Sequence, residues 1–230
     1  MDKKVMVIVG IILVVVLLVI CMFLPGKKEK KYEEKLLGIN YDTVDNEEGL
    51  NYETENPVVA MYIENYGSVV MELYPDIAPN TVNNFISLVK SGFYDNNSFH
   101  RLVPGFVLQG GDPDGNGTGG PGYSIKGEFT SNGFTNNLSH EKWVISMARG
   151  QSMDSAGSQF FICIDDAKNL DGQYASFGRV IDGFENIEAI VEKESVADTN
   201  SGKLRNNLVI KKAVVDTKGK DYSEVEKIQE

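Results

Sequence analysis

From Val58 to Val215 the apolar residues fall in short alternating runs broken by glycine or a polar turn, a spacing that over most of this length suits strands and not helices. Val58-Val59-Ala60-Met61-Tyr62-Ile63-Glu64 and Ser68-Val69-Val70-Met71-Glu72-Leu73-Tyr74, joined by Asn65-Tyr66-Gly67, predict a β-hairpin. Pro79 stands where a first-turn proline opens a helix, and Val82, Phe85, Ile86 and Val89 then repeat at helical spacing until Gly92. A second helix is predicted from Phe184 to Glu192, with Phe184, Ile187 and Val191 aligned, after a strand-like run from Ala175 to Ile181. A last strand is expected over Leu208 to Val215, and the charged residues beyond Thr217 are expected to fray. Several glycine-punctuated strands between two helices point to a mainly β fold, a closed antiparallel barrel rather than a doubly wound sheet.

The chain of 230 residues is long enough for one catalytic domain with extensions. Val5 to Leu24 holds no charged residue, and about 20 apolar residues suffice to span a bilayer, so an uncleaved transmembrane anchor over 5–24 is expected behind a short tail, residues 1–4. A cleaved secretory signal fits less well, because the run exceeds the roughly 7–15 residues of a signal core and lacks an evident small-x-small site. Lipidation is a third reading: Leu18-Val19-Ile20-Cys21 resembles a bacterial lipobox, with Ile20 where a small residue is expected. Lysines flank both ends of the run, Lys3 and Lys4 before it and Lys27, Lys28, Lys30 and Lys31 after it. A literal count of these keeps the domain in the cytoplasm; a very short tail before a single span favours export. The reading adopted is a single-pass protein of the cell membrane with its domain outside the cytoplasm. Residues 25–56 turn from basic to acidic with few apolar side chains and read as a polar linker. A single folded domain over 57–217 and a charged C-terminal tail over 218–230 complete the organisation.

A formal net charge of −11 argues against nucleic acid as a partner, since phosphate-tracking surfaces are cationic. Cys21 and Cys163 offer no disulfide framework, and together with His100 and His140 they show no metal-ligand spacing, so neither metal nor cofactor is expected. The glycines of 110–122 lack the Lys-Ser/Thr and following helix of a phosphate cradle, and read as tight loops.

Two segments carry the chemistry: Phe99-His100-Arg101-Leu102-Val103-Pro104-Gly105-Phe106-Val107-Leu108-Gln109-Gly110-Gly111, and Gly157-Ser158-Gln159-Phe160-Phe161-Ile162. Each sets one fixed cation or amide beside apolar and aromatic residues on alternating runs, so adjacent strands can present an apolar pocket with an arginine at its rim. With Gly115-Asn116-Gly117-Thr118-Gly119-Gly120 between them, the pair resembles the cyclophilin family of peptidyl-prolyl cis/trans isomerases over about Val58 to Val215. The resemblance implies an eight-stranded antiparallel barrel capped by two α-helices, acting on proline-containing polypeptide clients to assist folding. It implies Arg101 and Gln109 as the catalytic pair, Phe106, Val107, Phe161 and Leu170 around the prolyl ring, and Gln159 facing substrate. Ala148 and Arg149 are implied to bind peptide backbone through their main-chain groups, with Tyr174 on the rim in place of a histidine. Asn169 stands where many relatives carry a tryptophan, which implies weak cyclosporin binding. His100 has no partner at motif spacing and reads as structural or as a support behind the site residues. The alternative function is a proline-segment binding module or chaperone with little turnover.

Overall fold

The computed structural model describes residue 50 and residues 52–229. The expected tail over 1–4, the anchor over 5–24, Cys21 and residues 25–49 and 51 of the linker lie outside the described residues. Among the described residues no helix is long and apolar enough to cross a membrane.

The strands are β1 (Val58–Ile63), β2 (Gly67–Leu73), β3 (Ser98–Val103), β4 (Val107–Gly110), β5 (Tyr123–Ser124), β6 (Val144–Met147), β7 (Phe160–Cys163), β8 (Ser176–Asp182), β9 (Val196–Asp198), β10 (Lys203–Asp216) and β11 (Ile228–Gln229). Eight of them pair in the order β1-β2-β8-β6-β7-β4-β3-β10, and β10 returns to β1, closing an antiparallel barrel. Closure removes the free ladder edges that an open sheet of this size would expose. The predicted hairpin is β1 and β2, in register from Val58↔Glu72 to Ile63↔Gly67.

Helix α1 (Pro79–Lys90) has its proline in the first turn and the predicted stripe buried. It ends in a glycine stop: the Gly92 N–H donates to Val89 O and the Phe93 N–H to Leu88 O, with Gly92 at φ +72°, a conformation a side chain would strain. Its N-terminus has no cap from its own flank. The buried Glu128, 48 residues away from Asn80, supplies one: its carboxylate accepts the Asn80 N–H at 3.1 Å and the Thr81 N–H at 2.7 Å. Helix α2 (Phe184–Lys193) buries Ile187 and Ile190; Val191 and Phe184 are only partly covered.

The interior is aromatic. Phe85 of α1 lies within 5.0–5.3 Å, centroid to centroid, of Tyr94, Phe160 and Phe177, and Phe99 meets Phe160 edge-on at 5.6 Å. Such tilted and edge-on pairs are favoured over face-to-face stacking.

Both flanks of the barrel are more ordered than the sequence suggests. Leu50 and Tyr52, drawn within the linker, pack on an outer apolar patch of Val58, Ala60, Val70 and Val214. The Tyr52 hydroxyl donates to Asp182 at 2.7 Å, and the Lys218 ammonium donates to the Tyr52 carbonyl at 3.1 Å. The tail beyond Thr217 does not fray. Tyr222 is buried, Asn80 and Asn83 of α1 donate to the carbonyls of Glu226 and Glu224, and β11 pairs with β5. Local charge density hid this, because the partners lie more than a hundred residues upstream.

Glu128 holds two otherwise orphaned helix donors, and buried donors left unmet by loss of a charged acceptor cost about 1–3 kcal/mol. Glu128→Ala is therefore expected to lower the unfolding free energy by about that amount in a denaturant titration, with Glu128→Gln intermediate.

Candidate active site

Strand alternation builds the site on the outside of the barrel. On β7, Phe160 and Ile162 point into the core, which sends Phe161 and Cys163 outward; on β4, Leu108 points in and Val107 out. The outward residues form a second, small apolar cluster of Val107, Phe161, Cys163 and Ala167, flanked by the half-buried Phe106, Ala148, Leu170 and Tyr174. Tyr174 meets Phe161 edge-on at 5.8 Å. The Phe106 carbonyl accepts the Ile164 N–H at 2.9 Å, pinning the turn before β4 to the end of β7. Leu170 ends a short 3-10 turn over Lys168–Leu170. Cys163 serves as packing: burial pushes its thiol up to about 12, far from a reactive thiolate.

The rim is polar and directional. A register shift between Phe99 and Arg101 sets two residues of β3 against Gly110 of β4, a bulge at His100. Phe99 and Leu102 are both core residues, so the extra residue is what turns Arg101 out. Gly110 makes room: a Cβ there would stand 2.8 Å from Phe99 Cδ1 and from Ser98 O. Arg101 pairs in register with Gln109, which pairs with Phe161, so the guanidinium, the amide and the pocket ring sit in one row across three strands. The Arg101 Nη1–H donates to Gln109 Oε1 at 3.1 Å and its Nε–H to Ser201 O at 2.7 Å. Gln109 Nε2–H donates to Gln159 Oε1 at 3.0 Å, and Gln159 Nε2–H to Gly119 O at 2.9 Å. Arginine has no acceptor, so it sets the orientation of both amides.

Gly119 is itself held by a built loop. The buried Asp112 carboxylate accepts the N–H groups of Asp114, Asn116 and Gly117 at 2.9, 3.0 and 2.5 Å. Burial works to raise this carboxyl, but the three backbone donors together hold it below the usual value. The glycine-rich segment is thus held as a tight loop whose Gly119 carbonyl reaches Gln159.

The structure brings Arg101, Gln109 and Gln159 together in one hydrogen-bonded chain, and Phe106, Val107, Ala148, Phe161, Leu170 and Tyr174 in one apolar cluster. Arg149 follows Ala148, and its own N–H and C=O make no hydrogen bond among the described residues. Sequence reasoning missed the support beneath Phe161. His140 stacks on that ring at 6.0 Å; its Nδ1–H donates to Asp171 at 2.9 Å, and its Nε2 accepts the Ser146 hydroxyl at 3.0 Å. Serine, histidine and aspartate here have the connectivity of a nucleophilic triad, but Ser146 and His140 are both 0 % exposed and no substrate can reach them. They brace the pocket. Burial lowers the His140 pKa against the opposing hydrogen bond and charge of Asp171, so the ring is neutral. His100 is also lowered, by burial first, and neither ring nitrogen has a partner among the described residues.

The sequence pattern described as "Cyclophilin type peptidyl-prolyl cis-trans isomerase/CLD" matches residues 58–215. Peptidyl-prolyl cis-trans isomerase B of Bacillus subtilis (strain 168) is 48% identical over 123 residues, 54% of this chain and 82% of the relative. The isomerase cypE of Dictyostelium discoideum is 40% identical over 151 residues, 65% of this chain and 92% of the relative. Among solved structures, a Cryptosporidium parvum cyclophilin type peptidyl-prolyl cis-trans isomerase, crystallised in the presence of the dipeptide Ala-Pro, is 34% identical with a TM-score of 0.61 over 69% of this chain and 98% of that one. A barrel with an arginine row over an outward pocket, and relatives of this kind across the same span, have one reading: the chain belongs to the cyclophilin family and is a peptidyl-prolyl cis-trans isomerase.

Proposed function

We propose that this isomerase works through Arg101, which stabilises the twisted state of an Xaa-Pro amide whose prolyl ring sits among Phe106, Val107, Phe161, Leu170 and Tyr174. The observation carrying this is the tethering of Arg101 by Gln109 and Ser201, which leaves its Nη2 without a partner among the described residues. Rotating a peptide bond costs about 18–20 kcal/mol because resonance is lost, and no bond need form or break. A fixed guanidinium that binds the rotated amide more strongly than the planar one lowers that barrier, while the apolar pocket holds the ring still. Gln109 is the orienting partner, Gln159 and the main chain at Ala148 and Arg149 bind the peptide backbone, and His140 supports without exchanging protons. The Ala-Pro dipeptide used with the Cryptosporidium relative supports proline-containing polypeptides as substrates. With an exposed Asn169 and Tyr174 at the rim, cyclosporin binds weakly.

We also propose that the run over 5–24 anchors the chain as a single-pass membrane protein, with the isomerase outside the cytoplasm acting on clients that fold near the surface. The charge-free apolar length of that run supports this reading.

Arg101→Ala is expected to lower kcat/KM by about 10²–10³-fold in two-dimensional exchange NMR on an Xaa-Pro peptide with the full-length chain. Undiminished exchange would remove Arg101 from the mechanism. Saturable binding by the wild type without faster interconversion would instead favour a proline-binding module.

Both histidines have folded-state pKa values below the ordinary value, so the unfolded chain takes up protons first. Their contribution is complete above about pH 6.5, the unfolded value, and is lost as pH falls through the folded values. Asp112 and Asp171, also depressed, add a second loss only below about pH 4. Denaturant titrations should therefore show stability falling from about pH 6.5 downward and again below about 4, while turnover of the folded enzyme stays flat through 6.5. A titration in kcat/KM near 6.5 with the fold intact would contradict a proton-free mechanism.

For the anchor, the full-length chain should sediment with membranes, and protease added outside intact cells stripped of their wall should release the barrel. Protection from that protease would place the domain in the cytoplasm.

A further inference from the structure

Arg149 has a side chain whose placement its main-chain role does not explain. The guanidinium lies 4.8 Å from the Tyr174 ring centroid and 5.3 Å from that of the buried Phe129. Its Nε–H donates to Gln173 O at 3.1 Å, and its Nη1–H donates to Gly150 O at 3.0 Å and Gln151 O at 3.4 Å. These acceptors are neutral carbonyls. Among the described residues no carboxylate pairs with Arg149, whereas Lys142 and Arg179 are paired with Glu188 and Glu141. Its Nη2 makes no hydrogen bond among the described residues. The cation is therefore fixed in place on two aromatic faces with its Nη2 donors unused.

Its position relative to the pocket matters more. Tyr174 stands edge-on to Phe161, so a single ring separates the Arg149 guanidinium from the prolyl pocket. An extended peptide advances about 3.3 Å per residue, which places a side chain within two residues of the proline beside that unused Nη2. The Nη2 of a guanidinium fixed by stacking can donate to a carboxylate oxygen, and such charge-assisted bonds are roughly twice as strong as neutral ones.

We propose that the Arg149 side chain is a carboxylate-recognition subsite, selecting proline-containing segments that carry Asp or Glu within two residues of the proline. This rests on the reading that substrate backbone docks along Ala148 and Arg149. The net charge of the chain, −11, repels acidic peptides at long range, but screening limits that field to about 8 Å at physiological salt and the stacked cation acts at contact. The long-range field also changes little between conservative Arg149 variants, so the contact can be read separately.

The test uses peptides with Glu, Gln or Lys at each of the two positions on either side of an Ala-Pro unit, and the full-length chain as wild type, Arg149→Glu, Arg149→Lys and Arg149→Gln. The readout is kcat/KM from exchange NMR, with thermal melting to check folding. At one position or more, the wild type is expected to favour Glu over Lys by about ten-fold, a charge-assisted contact's worth. Arg149→Glu reverses that ratio, Arg149→Lys shrinks it, and Arg149→Gln brings it near one even if the Glu variant fails to fold. Equal ratios in wild type and Arg149→Gln, or a uniform loss on every peptide, would reduce Arg149 to a brace for Tyr174 and overturn the subsite. Acceleration of no peptide by the wild type would overturn the isomerase reading and the subsite with it; acceleration indifferent to flanking charge removes the subsite alone.

Discussion

One extra residue in β3 decides where the chemistry is. With strict alternation Arg101 would share the inward face of Phe99, and a guanidinium would be buried among aromatic rings at prohibitive desolvation cost. The bulge at His100 resolves the conflict by letting Phe99 and Leu102 both face the core while Arg101 faces out. Gly110 is the other half of the device, because any side chain there would strike Phe99 and the Ser98 carbonyl. The row from Arg101 through Gln109 to Phe161 exists only because this local irregularity is set in an otherwise regular ladder.

Rigidity comes from the same strands. β7 places Phe160 in the core and Phe161 in the outward cluster, so the packing that stabilises the barrel also locates that cluster. The pocket ring is held from beneath by His140, which Ser146 and Asp171 lock in turn. Donors held this way need little reorganisation when a substrate amide twists, which is where an electrostatic catalyst gains most.

Much of this was legible in the residues. The stripe from Val82 to Val89, the hairpin and the Arg101, Gln109 and Phe161 motifs rest on local periodicity or on adjacent positions, and these translate directly into faces of a helix or strand. What escaped depends on partners distant in sequence. Glu128 caps α1 from 48 residues away from Asn80, and nothing around Glu128 signals that. The β9 strand and the first half of β10 are mostly polar and irregularly paired, β10 meeting β9 at Lys203 and Leu204 and β3 at Lys203, Leu208 and Val209, so no regular apolar alternation marks them. The C-terminal segment is charged, yet α1 and β5 hold it through backbone carbonyls and a two-residue ladder that composition cannot reveal. His140 and Ser146 stand six residues apart, and Asp171 joins them from 31 residues beyond His140, a meeting that local pattern does not signal.

Closure of the barrel also bears on the company this enzyme keeps. Partly folded polypeptides carry unpaired strand segments that seek any open ladder to extend. The eight barrel strands are all paired on both sides, and among the described residues the strands outside the ring are the three-residue β9 and the two-residue pair β5 and β11. A client therefore finds little ladder backbone to annex, and in the mode of binding proposed above it would be held at one proline and a short stretch of main chain instead. Weak, local grip of that kind lets a nascent chain be handled at one proline and released before the handler is drawn into its aggregate.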